Sequence, residues 1–202
     1  MFSRNTMGLL GLLVAAMLGL VLVGPAQAAT WTKLTGTNSW NVNANWSTPA
    51  TFPNAIDDIA NMEINITGNQ TVNLNQPITV GTLQIGDTSG NQTYTLASNG
   101  GSLTFDVTSG NAVLSRAAGG TGAVTISAPI TMNDPLNITN NSAATLTFSG
   151  GVNNGGNLLT IGGSGNTSFA GTANIITGAG GITKNGSGVL YLGAGGTTPA
   201  HN

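Results

Sequence analysis

From residue 72 to residue 192 the chain repeats one short phrase: an apolar residue, a polar residue, an apolar residue. It is clear at Val72-x-Leu74, Ile78-x-Val80, Leu83-x-Ile85, Tyr94-x-Leu96 and Leu103-x-Phe105. It returns at Val124-x-Ile126, Leu136-x-Ile138, Leu146-x-Phe148, Leu159-x-Ile161 and Leu190-x-Leu192. A period of two places both apolar side chains on one side of an extended strand and the residue between them, mostly Thr, Asn or Ser, on the other. Turn residues punctuate the runs, as in Ser89-Gly90-Asn91, Asn99-Gly100-Gly101, Ser109-Gly110-Asn111 and Asn153-Asn154-Gly155-Gly156. No window after residue 30 sustains the 3.6-residue apolar period of a helix. The spacing predicts an all-β chain of short strands, of the kind built into a solenoid or a sandwich.

Composition favours the solenoid. Only 5% of the 202 residues are charged, with four Lys and Arg against six Asp and Glu. Sandwiches defend their free edges with lysine or inward charges, whereas stacked coils leave only two ends unpaired. Outward Asn, Thr and Ser can bond along a stack of like residues. The fold expected is therefore a right-handed parallel β-helix (β-solenoid), with a Greek-key β-sandwich as the alternative. Two or three strands per coil give about five or six coils and a rod on the order of 25 Å long.

The same counts exclude several functions. Four cationic side chains cannot neutralise a phosphate backbone, so no nucleic acid is expected as partner. The lack of cysteine removes disulfides, thiol catalysis and Cys-based zinc sites. The single histidine, His201, lies in a Gly-Thr-Pro tail, where it has no scaffold to act as a base. Asp57 and Asp58 are adjacent and point to opposite sides of an extended chain, while Glu63, Asp87, Asp106 and Asp134 stand apart in sequence. Arg116 and Asp106 form one pair, not a constellation. Gly162-Gly163-Ser164-Gly165-Asn166 is like a calcium nonapeptide with Asn in place of the charged ligand, and it occurs once. The sequons at Asn65, Asn69, Asn137 and Asn185 follow from composition. No catalytic residue, cofactor or metal is expected, and the chain reads as non-enzymatic.

Residues 1–28 read as a signal peptide: Arg4 supplies a positive start, Leu9 to Val23 an apolar run, Pro25 its end, and Ala26-Gln27-Ala28 a small-x-small cleavage site before Ala29. The run of about 15 residues is shorter than the roughly 20 a membrane span needs. Residues 29–70 are expected to form an N-terminal capping segment, 71–195 the solenoid, and 196–202 a disordered tail. Trp31, Trp40 and Trp46 cluster in the capping segment. They read either as a plug over the open end of the core or as a platform for glycan contact by ring stacking.

Gly178-Ala179-Gly180-Gly181-Ile182-Thr183-Lys184-Asn185-Gly186-Ser187-Gly188-Val189-Leu190-Tyr191-Leu192 resembles the autotransporter-associated β-strand repeat. That family's pattern is G-G-[L/I]-x-K-x-G-x-G-x-L-x-L-x-G, and Gly193 falls one residue early. Residues 154–167 are similar to the stretch that commonly precedes the repeat, and Trp40, Asn45-Trp46, Pro53 and Asp57-Asp58 resemble the start of such surface proteins. The resemblance implies a secreted or cell-surface passenger-type β-helix, structural or adhesive, whose repeat at 178–193 aids folding and outer-membrane transit. It implies polysaccharide or protein partners outside the cell, and a membrane only through export or a C-terminal region beyond this sequence. Lys184 is expected to have a ladder or turn role. Family members usually continue into further repeats and a membrane barrel or sorting tail, so the chain reads as a truncated or N-terminal member. The rivals are a carbohydrate-binding module using the tryptophans and a polysaccharide-degrading β-helix in which two carboxylates converge with Arg116.

Overall fold

A computed structural model describes residues 26, 28–47, 51–171 and 175–193. Most of the expected signal peptide and the tail at 196–202 lie outside the described residues. A lead-in half-turn consists of β1 (Ala28–Thr30) and β2 (Gly36–Ser39). The first full turn contains β3 (Ile59–Ile64), β4 (Gln70–Leu74) and β5 (Ile78–Val80). The second contains β6 (Thr82–Asp87), β7 (Tyr94–Ser98) and β8 (Leu103–Phe105). The third contains β9 (Ala112–Arg116), β10 (Val124–Ile126) and β11 (Ile130–Met132). The fourth contains β12 (Leu136–Asn140), β13 (Leu146–Phe148) and β14 (Val152–Asn153). The fifth contains β15 (Leu159–Gly162), β16 (Thr167–Phe169) and β17 (Ile176–Thr177), followed by β18 (Ile182–Lys184) and β19 (Leu190–Leu192).

Successive turns stack into three faces. The first is β1-β3-β6-β9-β12-β15-β18, the second β2-β4-β7-β10-β13-β16-β19, and the third β5-β8-β11-β14-β17. Neighbouring strands in all three pair in parallel, for example Leu136 with Leu159 and Leu159 with Ile182, two steps of equal length along the chain. A Greek-key sandwich is built from antiparallel pairs, so that alternative is excluded. The fold is a parallel β-solenoid of about five turns. The stack begins earlier than the expected boundary at residue 71, because β3 already pairs with β6 and even Ala28–Thr30 pairs with β3. The expected cleavage point thus falls inside β1.

All ten apolar-x-apolar phrases lie on strands and face inward, so the core is a set of ladders running along the rod. One runs Val72, Leu96, Ile126, Phe148, Phe169 and Leu192. Its two phenylalanines stack with ring centroids 4.8 Å apart and planes 12° apart, close to the spacing of the strands that carry them. The weaker strands β14 and β17 carry too few alternating residues to show in sequence.

Candidate functional site at the Arg116 corner

The first face turns into the second at a corner where three strands place polar groups inward. On β9 the alternation Ala112, Leu114, Arg116 continues onto an arginine, and on β12 Leu136, Ile138, Asn140 continues onto an asparagine. Asp87 closes β6 at the same corner. All three are buried, Arg116 at 1% exposure. Pairing puts Arg116 beside Asn140 and Glu63 beside Gly86. With no side chain at Gly86, the Glu63 carboxylate spans the second turn and accepts a hydrogen bond from the Ala117 amide in the third. The stem of Arg116 fills the rest of that gap, since a Cβ on Gly86 would lie 3.2 Å from its Cγ.

Arg116 satisfies backbone rather than a ligand. Its Nη1 donates to the carbonyls of Ala144 and Thr145 at 3.2 and 3.4 Å, and its Nη2 donates to the Gly122 carbonyl. Asp87 accepts from the amides of Ile66 at 3.2 Å and Gln92 at 3.3 Å. Asn140 donates to the carbonyls of Ala144 and Asn166, and the Ser142 hydroxyl to that of Gly120. Loss of solvent raises the Glu63 pKa, against the opposing pull of the Ala117 amide and Arg116. Burial lowers that of Arg116, opposed by the charges of Glu63 and Asp87. Tyr94 is likewise raised, by burial and then by the Asp87 charge.

The structure thus brings together Glu63, Asp87 and Arg116, which sequence spacing kept apart. The recess between Glu63, Asp87 and Ala117 is narrow, without room for a water-sized sphere. The other acids also hold turns together. Asp57 accepts from the amide and hydroxyl of Thr108, Asp58 from the Asn54 amide, Asp106 from the Asn133 side chain, and Asp134 from the Val107 amide. Among the described residues there is no group of three or more His, Asp or Glu able to hold a metal ion, and no helix long and apolar enough to cross a membrane.

The tryptophans offer no ring face to a glycan. Trp31, Trp40 and Trp46 are 1%, 0% and 5% exposed, and they pack edge to face with centroids 5.0 and 4.7 Å apart. The Trp40 indole donates to the Pro53 carbonyl and that of Trp46 to the Trp40 carbonyl. They sit over the first turn, as a plug would. Lys184 occupies the inward ladder that runs Leu114, Ile138, Ile161, and its ammonium turns into the corner to donate to the carbonyls of Asn185 and Gly186, both at 2.9 Å.

The sequence signal for this corner was the third inward position of β9 and β12, where polar residues follow two apolar ones. It becomes legible only once those two strands are aligned. The class the fold defines is the parallel β-solenoid. Searches of family models, of curated proteins and of solved structures each find no match to the chain.

Proposed function

We propose that this chain is an exported, non-enzymatic structural β-solenoid of the passenger type, which serves as an adhesive or spacing rod at or beyond the cell surface. The observation that carries the reading is the use of its charges: all six carboxylates accept bonds from other parts of the chain, and Arg116 is occupied by three carbonyls. A hydrolase needs acids free to meet a substrate. The leader-like residues 1–28 and the autotransporter-like repeat at 178–193 support export. The repeat's glycines also have a stacking role. Gly186-Ser187-Gly188 lies directly over Gly163-Ser164-Gly165, and a Cβ on Gly188 would collide with the Gly165 carbonyl.

The test is expression of the full chain in a Gram-negative host, with fractionation and mass spectrometry of the product. Export predicts a periplasmic or extracellular protein beginning at Ala29, and an unprocessed cytoplasmic product defeats the proposal. Altered attachment of cells carrying the displayed protein tests adhesion separately. The rival of a polysaccharide-degrading β-helix draws on the meeting of Glu63, Asp87 and Arg116. It predicts loss of a measurable depolymerase activity on Glu63→Gln, and inactivity of the native chain towards acidic and neutral polysaccharides removes it.

A further inference from the structure

The dipeptide Asn-Gly occurs three times, at Asn99-Gly100, Asn154-Gly155 and Asn185-Gly186. It is a labile context for asparagine, because glycine has no Cβ to shield its own amide nitrogen from the preceding side chain. The fold gives the three copies different surroundings. Asn99 and Gly100 are both exposed in the turn after β7, and Asn185 and Gly186 are both exposed in the turn after β18. Among the described residues nothing accepts a hydrogen bond from the amide of Gly100 or of Gly186. The neighbouring amides are held instead: those of Asn99 and Gly101 donate to the Leu74 carbonyl at 2.9 and 3.0 Å, and that of Asn185 to the Ile161 carbonyl at 2.7 Å.

Asn154-Gly155 is the opposite case. Asn154 is 1% exposed. Its carboxamide is clamped to the next coil, where Oδ1 accepts from the Gly180 amide at 3.1 Å and Nδ2 donates to the Gly180 carbonyl at 2.9 Å. The Gly155 amide is itself bonded to Asn153 Oδ1 at 3.0 Å.

We infer that Asn99 and Asn185 are sites of spontaneous deamidation, with water as the co-reactant, and that the fold protects Asn154. Base removes the proton of the glycine amide, and its nitrogen attacks Cγ of the preceding asparagine. The new N–C bond closes a succinimide ring, the Cγ–Nδ2 bond breaks, and Nδ2 leaves as ammonia with a proton from solvent. Water then adds to a ring carbonyl. Opening on one side gives aspartate, and opening on the other gives isoaspartate, with Cγ in the main chain. An amide held by an acceptor is shielded from base, as it is from hydrogen exchange. A carboxamide bonded through both its oxygen and its nitrogen does not turn to meet it.

Each event adds a carboxylate to a chain in which only 5% of residues are charged. At Asn99 it also removes a donor: Nδ2 bonds Asn75 Oδ1 at 2.7 Å, and Asn75 Nδ2 bonds Ser39 Oγ at 2.9 Å, a side-chain ladder across the turns. At Asn185 isoaspartate lengthens the backbone where Gly186 already lies against the Gly163 carbonyl and where Lys184 holds the carbonyls of Asn185 and Gly186.

The experiment incubates the purified full chain in mildly alkaline water enriched in heavy oxygen, folded and in denaturant, with circular dichroism to follow the folded sample. Peptide mass spectrometry reads the label at each asparagine, and electron-transfer fragmentation separates isoaspartate from aspartate. In the folded chain Asn99 and Asn185 are expected to take up label, and Asn154 to do so about 10-fold or more slowly than either. In denaturant the three rates are expected to converge. Labelling of Asn154 in the folded chain as fast as Asn99 or Asn185 overturns the inference. So does an Asn99 or Asn185 that keeps its amide in the folded chain while losing it in denaturant. A slow Asn154 in denaturant as well assigns the difference to sequence rather than fold, and overturns it too.

Discussion

Arg116 shows how a chain with so few charges uses one. Replacing it by Met keeps much of the volume but leaves the carbonyls of Gly122, Ala144 and Thr145 without their donor. Buried acceptors stripped of a charged donor cost about 2–4 kcal/mol, and Arg116→Met is expected to lower the melting temperature by about 5–15 °C. A drop within error of zero means that the corner re-satisfies itself. Glu63 acts in the opposite sense. Its pKa is raised in the folded chain, chiefly by burial. Between its ordinary value and the raised one the native state holds the extra proton, so this group's contribution to stability falls as pH rises through that window. Glu63→Gln keeps an acceptor for the Ala117 amide and removes the half-buried charge. It is expected to melt higher than the native chain near pH 7 and to converge with it below about pH 4. A variant that melts lower at pH 7 shows that attraction to Arg116 outweighs burial.

At the scale of the strand and its turn, glycine sets how closely coils stack. Gly165 lies against the Ser142 carbonyl and Gly188 against that of Gly165, with no room for a methyl at either place. Gly165→Ala is expected to cost about 1–3 kcal/mol and to lower the melting temperature by roughly 4–10 °C, read by calorimetry. The exposed Gly156, with a positive φ but open space around it, is expected to cost less. What sequence made visible follows the same division. Leu103-x-Phe105 or Leu136-x-Ile138 declares a strand because two inward apolar residues alternate with an outward one. β14 and β17, two residues each, cannot alternate. β3 escaped because Ala60 and Met62, though fully buried, do not form the strong pair that Leu and Ile do elsewhere. The corner was hidden for another reason: Glu63 and Ala117 are far apart in the chain, and only the length of each turn brings them together. That length varies. The step from Ile59 to its partner Thr82 equals the step from Leu136 to Leu159, but the next step, from Thr82 to Val113, is longer.

For the whole molecule, the two ends of the described stack are unlike. Three buried tryptophans cover the first turn, while β18 and β19 leave Ile182 and Val189 partly open. Unfolding of a stacked array proceeds from its weaker end. Amide exchange is expected to be slowest across β7–β13 and fastest across β17–β19; equal protection at both ends removes the plug role of Trp31, Trp40 and Trp46. Buried indoles also predict fluorescence that neither acrylamide nor soluble glycans alter in the native state. The reach of Glu63 to Ala117 and of Asp57 to Thr108 adds something else. Stacked arrays ordinarily gain or lose a coil by duplication or deletion, because each coil touches only its neighbours. Glu63 skips the second turn to reach the third, so a coil inserted there parts the two and strands a half-buried acid. On the first face the fourth and fifth turns keep an even step from strand to strand, and among the described residues no such bridge skips one of them. Insertion or deletion of a whole coil is therefore expected to be tolerated in the C-terminal half and to destabilise the first three turns, which melting of such variants would check.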